Sequence, residues 1–376
     1  MRKLRTAGRL LLAGLAGAVG AGAMAAQIVV GQVAPLSGLD AAQGRAYATG
    51  LQLAFDQANK AGGAGGNTFS LVRVNASGKG DVELAATEKL LSEHKPQLLA
   101  GFFGTGTLNQ LASSKLLDRE KIALVGIRAN EVQRDVPNLY HVRAGLRDEL
   151  QKIFGHLATV GITRLALFHE EGPTAGALLA AADEVASKTG AQLVVKASYP
   201  AGSGSVGPAL QKLQAANPQA IVMVSSGAAA AAMVESYLSA GGKARFYAVS
   251  EVDVQQLLKR LGDEHLQGVS IAQVVPSPYK LTSRLNSDFN AAVAKAGNLE
   301  VPVSHAMMEG YIAGRVIVEA ARRAGGRASR EGLMAALDNL SNFDLGGYLV
   351  NFQPGQRSGS RFVELSIVSS DGKVRQ

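Results

Sequence analysis

The chain has 376 residues, 47% of them hydrophobic and 18% charged, with 44 glycines and no cysteine. This is the composition of a globular protein, and the length suits two domains that each bury a core. The absence of cysteine excludes disulfides, thiolate metal sites, cysteine nucleophiles and a lipid-modified N-terminal cysteine. The formal net charge of +8 is scattered among acids instead of gathered into a stripe, which argues against nucleic acid as a partner.

Arg2, Lys3, Arg5 and Arg9 precede the apolar run Leu10 to Met24, and Ala23-Met24-Ala25 supplies a small-x-small cleavage signal. Residues 1–25 are therefore expected to be a secretory signal peptide, with an uncleaved signal anchor as the alternative. Its removal would halve the net charge. No later apolar run is long enough to span a membrane, so no stable insertion of the mature chain is expected.

Short β-branched runs then alternate with amphipathic segments. Strands are expected at Ile28 to Val33, Phe69 to Val74, Gln97 to Phe103 and Ile122 to Ile127, with helices at Ala41 to Lys60, Val82 to Glu93 and Leu108 to Leu117. In the first helix Tyr47, Leu51, Ala54, Phe55 and Ala58 recur at helical spacing as one buried stripe. A second series follows. Strands at Arg164 to Phe168, Gln192 to Ala197, Ala220 to Val224, Arg245 to Val249 and Gly268 to Val274 alternate with helices at Ala175 to Lys188, Val206 to Ala215 and Ala228 to Ala240. The alternation predicts an α/β protein of two Rossmann-like lobes, each an open parallel sheet with helices on both faces. The remaining pieces read as returns to these lobes: helices at Leu281 to Lys295, Ser304 to Ala324 and Arg330 to Leu340, then strands at Tyr348 to Phe352 and Phe362 to Val368. The expected N-terminal lobe is 26–143 plus 277–352 and the C-terminal lobe 144–276 plus 353–376, joined by a hinge of three crossing segments.

The opening Val30-Gly31-Gln32-Val33-Ala34-Pro35-Leu36-Ser37-Gly38, with Gly44, Gly50 and Ala54-Phe55-Asp56-Gln57-Ala58-Asn59, resembles that of type I periplasmic binding proteins. More narrowly, it is similar to the leucine/isoleucine/valine-binding family of ABC importers. The likeness continues through Tyr140-His141-Val142-Arg143, Ile162 to Phe168, Gln273 to Pro278 and Glu309-Gly310-Tyr311. The resemblance implies a periplasmic receptor, monomeric, that closes on a small amino acid or related carboxylate and delivers it to an ABC permease in the inner membrane. A receptor feeding a membrane sensor is the alternative within binding proteins, and a secreted Rossmann-like enzyme the alternative of another class.

In open parallel sheets, ligands bind beyond the carboxyl ends of the strands. The resemblance adds Ser37 of the opening motif and Gln43 as ligand-binding residues, and this rule selects Thr105, Gly106 and Thr107 after Phe103. Backbone amides at that helix start suit a carboxylate, and Thr105 either adds a hydroxyl or caps the helix. Family members commonly carry a ligand-contacting serine or threonine where Thr105 stands. The next loop offers Ile127, Arg128 and Ala129. Arg128 is either a carboxylate clamp in the cleft or a surface residue paired with Glu131 or Asp135. In the second lobe the same rule selects Thr174, Ser226, Ser250 and Glu251. Glu251 or Asp253 either meets a ligand ammonium or is an ordinary acid in a helix's first turn. Gln43, Ala129 and Thr174 stand where the family often has tyrosine, a hydroxyl residue and an aromatic, so a branched-chain pocket is not implied.

No cofactor and no metal are expected. The six histidines are never at ligand spacing, and the sequence has no nucleophile elbow, phosphate-binding P-loop or His-Glu-x-x-His helix. Gly101, Gly104 and Gly106 faintly resemble a dinucleotide fingerprint, but the acid that should end the next strand is replaced by Arg128.

Overall fold

A computed structural model describes residues 26–376 apart from 39, 77–79, 131–135, 253–256, 258–259, 262–266, 327, 370–373 and 376. The expected signal segment, and Glu131, Asp135 and Asp253, lie outside the described residues. The first series forms a sheet of β1 (Ala26–Ala34), β2 (Asn67–Asn75), β3 (Leu98–Phe103), β4 (Ala123–Arg128) and β5 (Leu139–Tyr140), in the order β2-β1-β3-β4-β5 with every pairing parallel. Its helices are α1 (Ala41–Lys60), α2 (Gly80–His94), α3 (Thr105–Ser114) and α4 (Leu116–Arg119). The last two replace the single helix expected from Leu108: the chain turns helical at Thr105 and breaks at Lys115, whose φ of 52° lies in the left-handed region.

The second series repeats the plan with β6 (Arg164–Glu170), β7 (Gln192–Tyr199), β8 (Ala220–Val224), β9 (Arg245–Ala248) and β10 (Ser270–Gln273), ordered β7-β6-β8-β9-β10 and parallel. The helices α5 (Leu146–Thr159), α6 (Ala175–Thr189), α7 (Gly207–Ala216) and α8 (Gly227–Ser239) cover it. Sequence reading passed over α5, although Leu146, Leu150, Ile153, Phe154 and Leu157 are its buried stripe. Two antiparallel strands, β13 (Glu364–Val368) and β14 (Val374–Arg375), extend this sheet beyond β10. The short β11 (Phe343–Asp344) and β12 (Leu349–Val350) pair only with each other.

The returning helices α9 (Arg284–Ala296), α10 (His305–Ala324) and α11 (Arg330–Asp338) pack on the first sheet, where Phe289, Tyr311, Ile312 and Leu333 join the core of Val30, Tyr47 and Val125. The chain thus passes between the sheets three times, after β5, after β10 and before β13. The passages are tied together. His141 N donates to Arg357 O and Gly359 N to His141 O, both at 2.8 Å, while the Tyr348 hydroxyl lies 2.7 Å from Val142 O and 3.1 Å from Val274 O.

Two glycine devices fix the first lobe. Every residue of β3 and β4 is buried, as parallel strands covered on both faces must be. Along each strand side chains alternate between the α1/α10 face and the α2/α3 face until Gly101 and Gly126, which stand opposite each other with φ of 65° and 79°. Beyond them the alternation reverses, so Ile127 faces α3 and Arg128 faces α1 and α10. A Cβ at Gly101 or Gly126 would come within 2.5 Å of the Tyr47 ring or 2.2 Å of its hydroxyl.

The second device brings α1 and α10 into backbone contact. A Cβ on Gly50 would lie 2.0 Å from Met307 O and one on Gly310 2.1 Å from Tyr47 O. Because the obstruction at Gly310 is backbone, Gly310→Ala is expected to destabilise the protein by about 1–3 kcal/mol. Gly155 of α5 has nothing within 4 Å of its added Cβ, so Gly155→Ala should stabilise by about 0.5–1 kcal/mol. Urea unfolding of the two variants checks both; equal effects would contradict the packing account.

Candidate functional site

The reversal at Gly126 delivers Arg128 to a place ringed by four elements. Its Nη1 donates to Glu309 Oε2 of α10 at 2.5 Å, and its Nη2 donates to Gln43 Oε1 of α1 at 3.0 Å and to Ser250 O, beyond β9 of the second lobe, at 3.1 Å. Gln43 Nε2 completes the link with a 3.4 Å bond to Glu251 O. The two lobes therefore touch through Arg128 and Gln43, each reaching a main-chain carbonyl of the other side.

A second pair lies beside the first. Arg143 Nη2 donates to Glu149 Oε1 of α5 at 3.1 Å and to the Ser250 hydroxyl, and its Nη1 is 3.8 Å from Glu309 Oε2. Ser250 gives Glu149 its backbone N–H at 2.7 Å and its hydroxyl at 3.0 Å. Burial pushes the Glu149 carboxyl up, against the pull of Arg143 and Ser250. Arg128, Arg143, Glu149 and Glu309 are each at most 3% exposed. Two positive and two negative groups thus neutralise one another out of water, which an unpaired buried ion could not do.

Glu251 stands outside that balance. Its Oε2 is buried with no hydrogen-bond partner among the described residues. Burial pushes its carboxyl up to about 8; Arg143 and Arg128 oppose the shift, while Glu170 and Asp40 add to it. A carboxyl with such a value is protonated at neutral pH until a cation joins it.

Across the cleft, Gly104 with φ of 92° turns the chain from β3 into α3, and its N–H donates to Arg128 O at 2.8 Å. Thr105 is half-buried at the helix start, where its hydroxyl accepts from Asn130 N at 3.2 Å. Gly106 is exposed, whereas Thr107 is 1% exposed with its hydroxyl unpartnered among the described residues. The side chains of Ile127 and Ala129 are buried in the α2/α3 core, which leaves only their backbone to a ligand. Ser37 is exposed and accepts from Asn75 Nδ2 at 2.9 Å. Thr174 is exposed before α6. Ser226 caps α8 by accepting from Ala229 N at 3.3 Å, and its own N–H donates to the Tyr199 hydroxyl at 3.0 Å.

Of the residues selected from sequence, the structure thus gathers Gln43, Arg128, Ser250 and Glu251 at one point. Arg128 is buried rather than on the surface, and its guanidinium is paired with Glu309. Sequence reading missed Glu309, Arg143 and Glu149 as parts of this cluster. The available signal was a glutamate set within Met307-Met308-Glu309-Gly310-Tyr311-Ile312, an otherwise apolar helical run. Among the described residues no group of three His, Asp or Glu side chains is placed to hold a metal ion.

A family model described as periplasmic binding protein matches residues 27–365. A substrate-binding periplasmic protein from Ralstonia solanacearum is 32% identical with a TM-score of 0.86, covering 93% of this chain and 99% of that one. An extracellular ligand-binding receptor from Verminephrobacter eiseniae is 26% identical with a TM-score of 0.84, covering 93% and 100%. The fold is also shared with LivJ, the branched-chain amino acid transporter substrate-binding protein of Streptococcus pneumoniae solved with isoleucine, at 16% identity and a TM-score of 0.77, covering 93% and 98%. No curated protein shows significant similarity to the chain. Two sheets whose parallel strands follow the same order, three passages between them and a match along nearly the whole described length lead to one statement: the chain belongs to the periplasmic binding protein family and has its type I fold, that of solute-binding proteins.

Proposed function

We propose that the protein captures a small α-amino acid between its lobes, in the periplasm after export by residues 1–25, and delivers it as a monomer to an ABC permease in the inner membrane. The hinge is assigned to the three passages, with lobes 26–143 plus 277–352 and 144–276 plus 353–376. The observation that carries the ligand class is Glu251, whose buried Oε2 has no hydrogen-bond partner among the described residues, beside a charge cluster that already sums to zero. An ammonium supplies the cation Glu251 lacks, and the α3 amides with Thr105 suit the carboxylate. Arg128 is not the carboxylate's partner on this reading, because Glu309 and Gln43 hold it.

In a thermal-shift screen, zwitterionic amino acids should raise the melting temperature, since ligand at ~100 times Kd contributes about 2.7 kcal/mol. Shifts produced only by uncharged sugars would overturn the proposal. The pH dependence has a definite sign. Binding an ammonium requires ionised Glu251, so affinity should rise about tenfold per pH unit from pH 6 toward 8 and binding should release a proton, measurable by calorimetry in buffers of different ionisation enthalpy.

Two variants separate the acidic roles. Glu251→Gln should remove that pH dependence and weaken amino acids while sparing amine-free acids. It should also raise the ligand-free melting temperature above pH 8, because a raised folded-state pKa contributes stability that is present at low pH and lost as pH rises toward 8. Arg128→Ala leaves Glu309 buried without its partner and should cost about 3–5 kcal/mol of folding stability. An Arg128→Ala protein of unchanged stability would contradict the ion-pair assignment.

A further inference from the structure

Arg128 has one nitrogen left over. Nη1 and Nη2 are engaged by Glu309, Gln43 and Ser250, but Nε is buried with no partner among the described residues, on a side chain whose residue is 3% exposed. His305 begins α10 one turn before Glu309, so it stands on the helix face that meets Arg128. Its Nε2 is likewise buried without a partner among the described residues, and the Tyr279 ring abuts it edge-on at 6.0 Å. Two orphaned nitrogens in one neighbourhood, beside the contact between the lobes, call for a polar atom from elsewhere.

Resting on the reading that a solute binds between the lobes, we propose that Arg128 Nε and His305 Nε2 form a subsite that reads a neutral hydroxyl or carboxamide of that solute. The guanidinium Nε–H is a donor, and the imidazole Nε2 donates or accepts according to its tautomer. A hydroxyl satisfies both at once, accepting from Arg128 and donating to His305. Burial and the Arg128 charge hold the His305 pKa down to about 3, so the imidazole is neutral and adds no attraction for an anion. A second carboxylate gains nothing from Arg128 either, because Glu309 already neutralises it. An apolar group leaves both nitrogens unpaired.

Calorimetry on the full-length mature protein with matched probes tests this. Threonine against 2-aminobutyrate and glutamine against norvaline differ chiefly in the polar group; 3-hydroxybutyrate against butyrate repeats the comparison without an amine. The polar member should bind about tenfold or more tightly, and His305→Ala should reduce that preference to within about threefold. His305→Gln, which keeps a polar group, should retain part of the preference. A preference seen only in the amine-free pair upholds the subsite and overturns the amino-acid reading. Apolar members that bind as tightly as polar ones, a preference that survives in His305→Ala, or no binding by any probe would overturn the subsite.

Discussion

Two arginines and two glutamates withdrawn from water have to meet one another, and that requirement organises the centre of this protein. Arg128 comes from the end of β4, Glu309 from α10, Arg143 from the first passage and Glu149 from the first turn of α5. Each ion forces its element to a particular place, because a missing partner would leave a desolvated charge. Buried ion pairs contribute little net stability over well-packed apolar residues. What they supply here is a registration of strand, helices and hinge against one another.

The packing serves that registration. Gly101 and Gly126 reverse the alternation of two neighbouring strands in step, which gives Tyr47 its berth and turns Arg128 toward α10. Gly50 and Gly310 then let α10 approach α1 at backbone distance, so Gln43 and Glu309 reach the same guanidinium. A side chain at any of these glycines would displace the charged residues as well as the core around them.

Much of the fold was legible in the sequence, because its elements bury regular stripes. Helix α1 spans Ala41–Lys60 as its apolar spacing indicates, and the apolar runs Leu98–Phe103 and Ala123 to Ile127 announce a parallel sheet. Alternation does not reveal where it reverses, so the orientation of Arg128 could not be read from its neighbours. The loop rule found Ser250 and Glu251 through chain order and the family resemblance supplied Gln43, whereas Glu309 lies in a helix interior that no loop rule searches. Helix α5 went unseen because it falls between the two alternating series, although its stripe is regular.

The two ion pairs are joined through Arg143, whose Nη1 lies 3.8 Å from Glu309 Oε2 while its Nη2 donates to Glu149 Oε1. Arg128 and Glu309 are both anchored to the first sheet, and Arg143 and Glu149 are only six positions apart in the chain. Among the described residues, Arg128 and Gln43 reach across to the carbonyls of Ser250 and Glu251, and Arg143 reaches the Ser250 hydroxyl. Parting the lobes would therefore exchange those main-chain acceptors for water and would also draw Arg143 away from Glu309 or from Glu149. The centre of the cleft thus carries one cation, Arg143, shared by Glu149 and Glu309, so the spacing of the lobes and the balance of their buried charges are coupled.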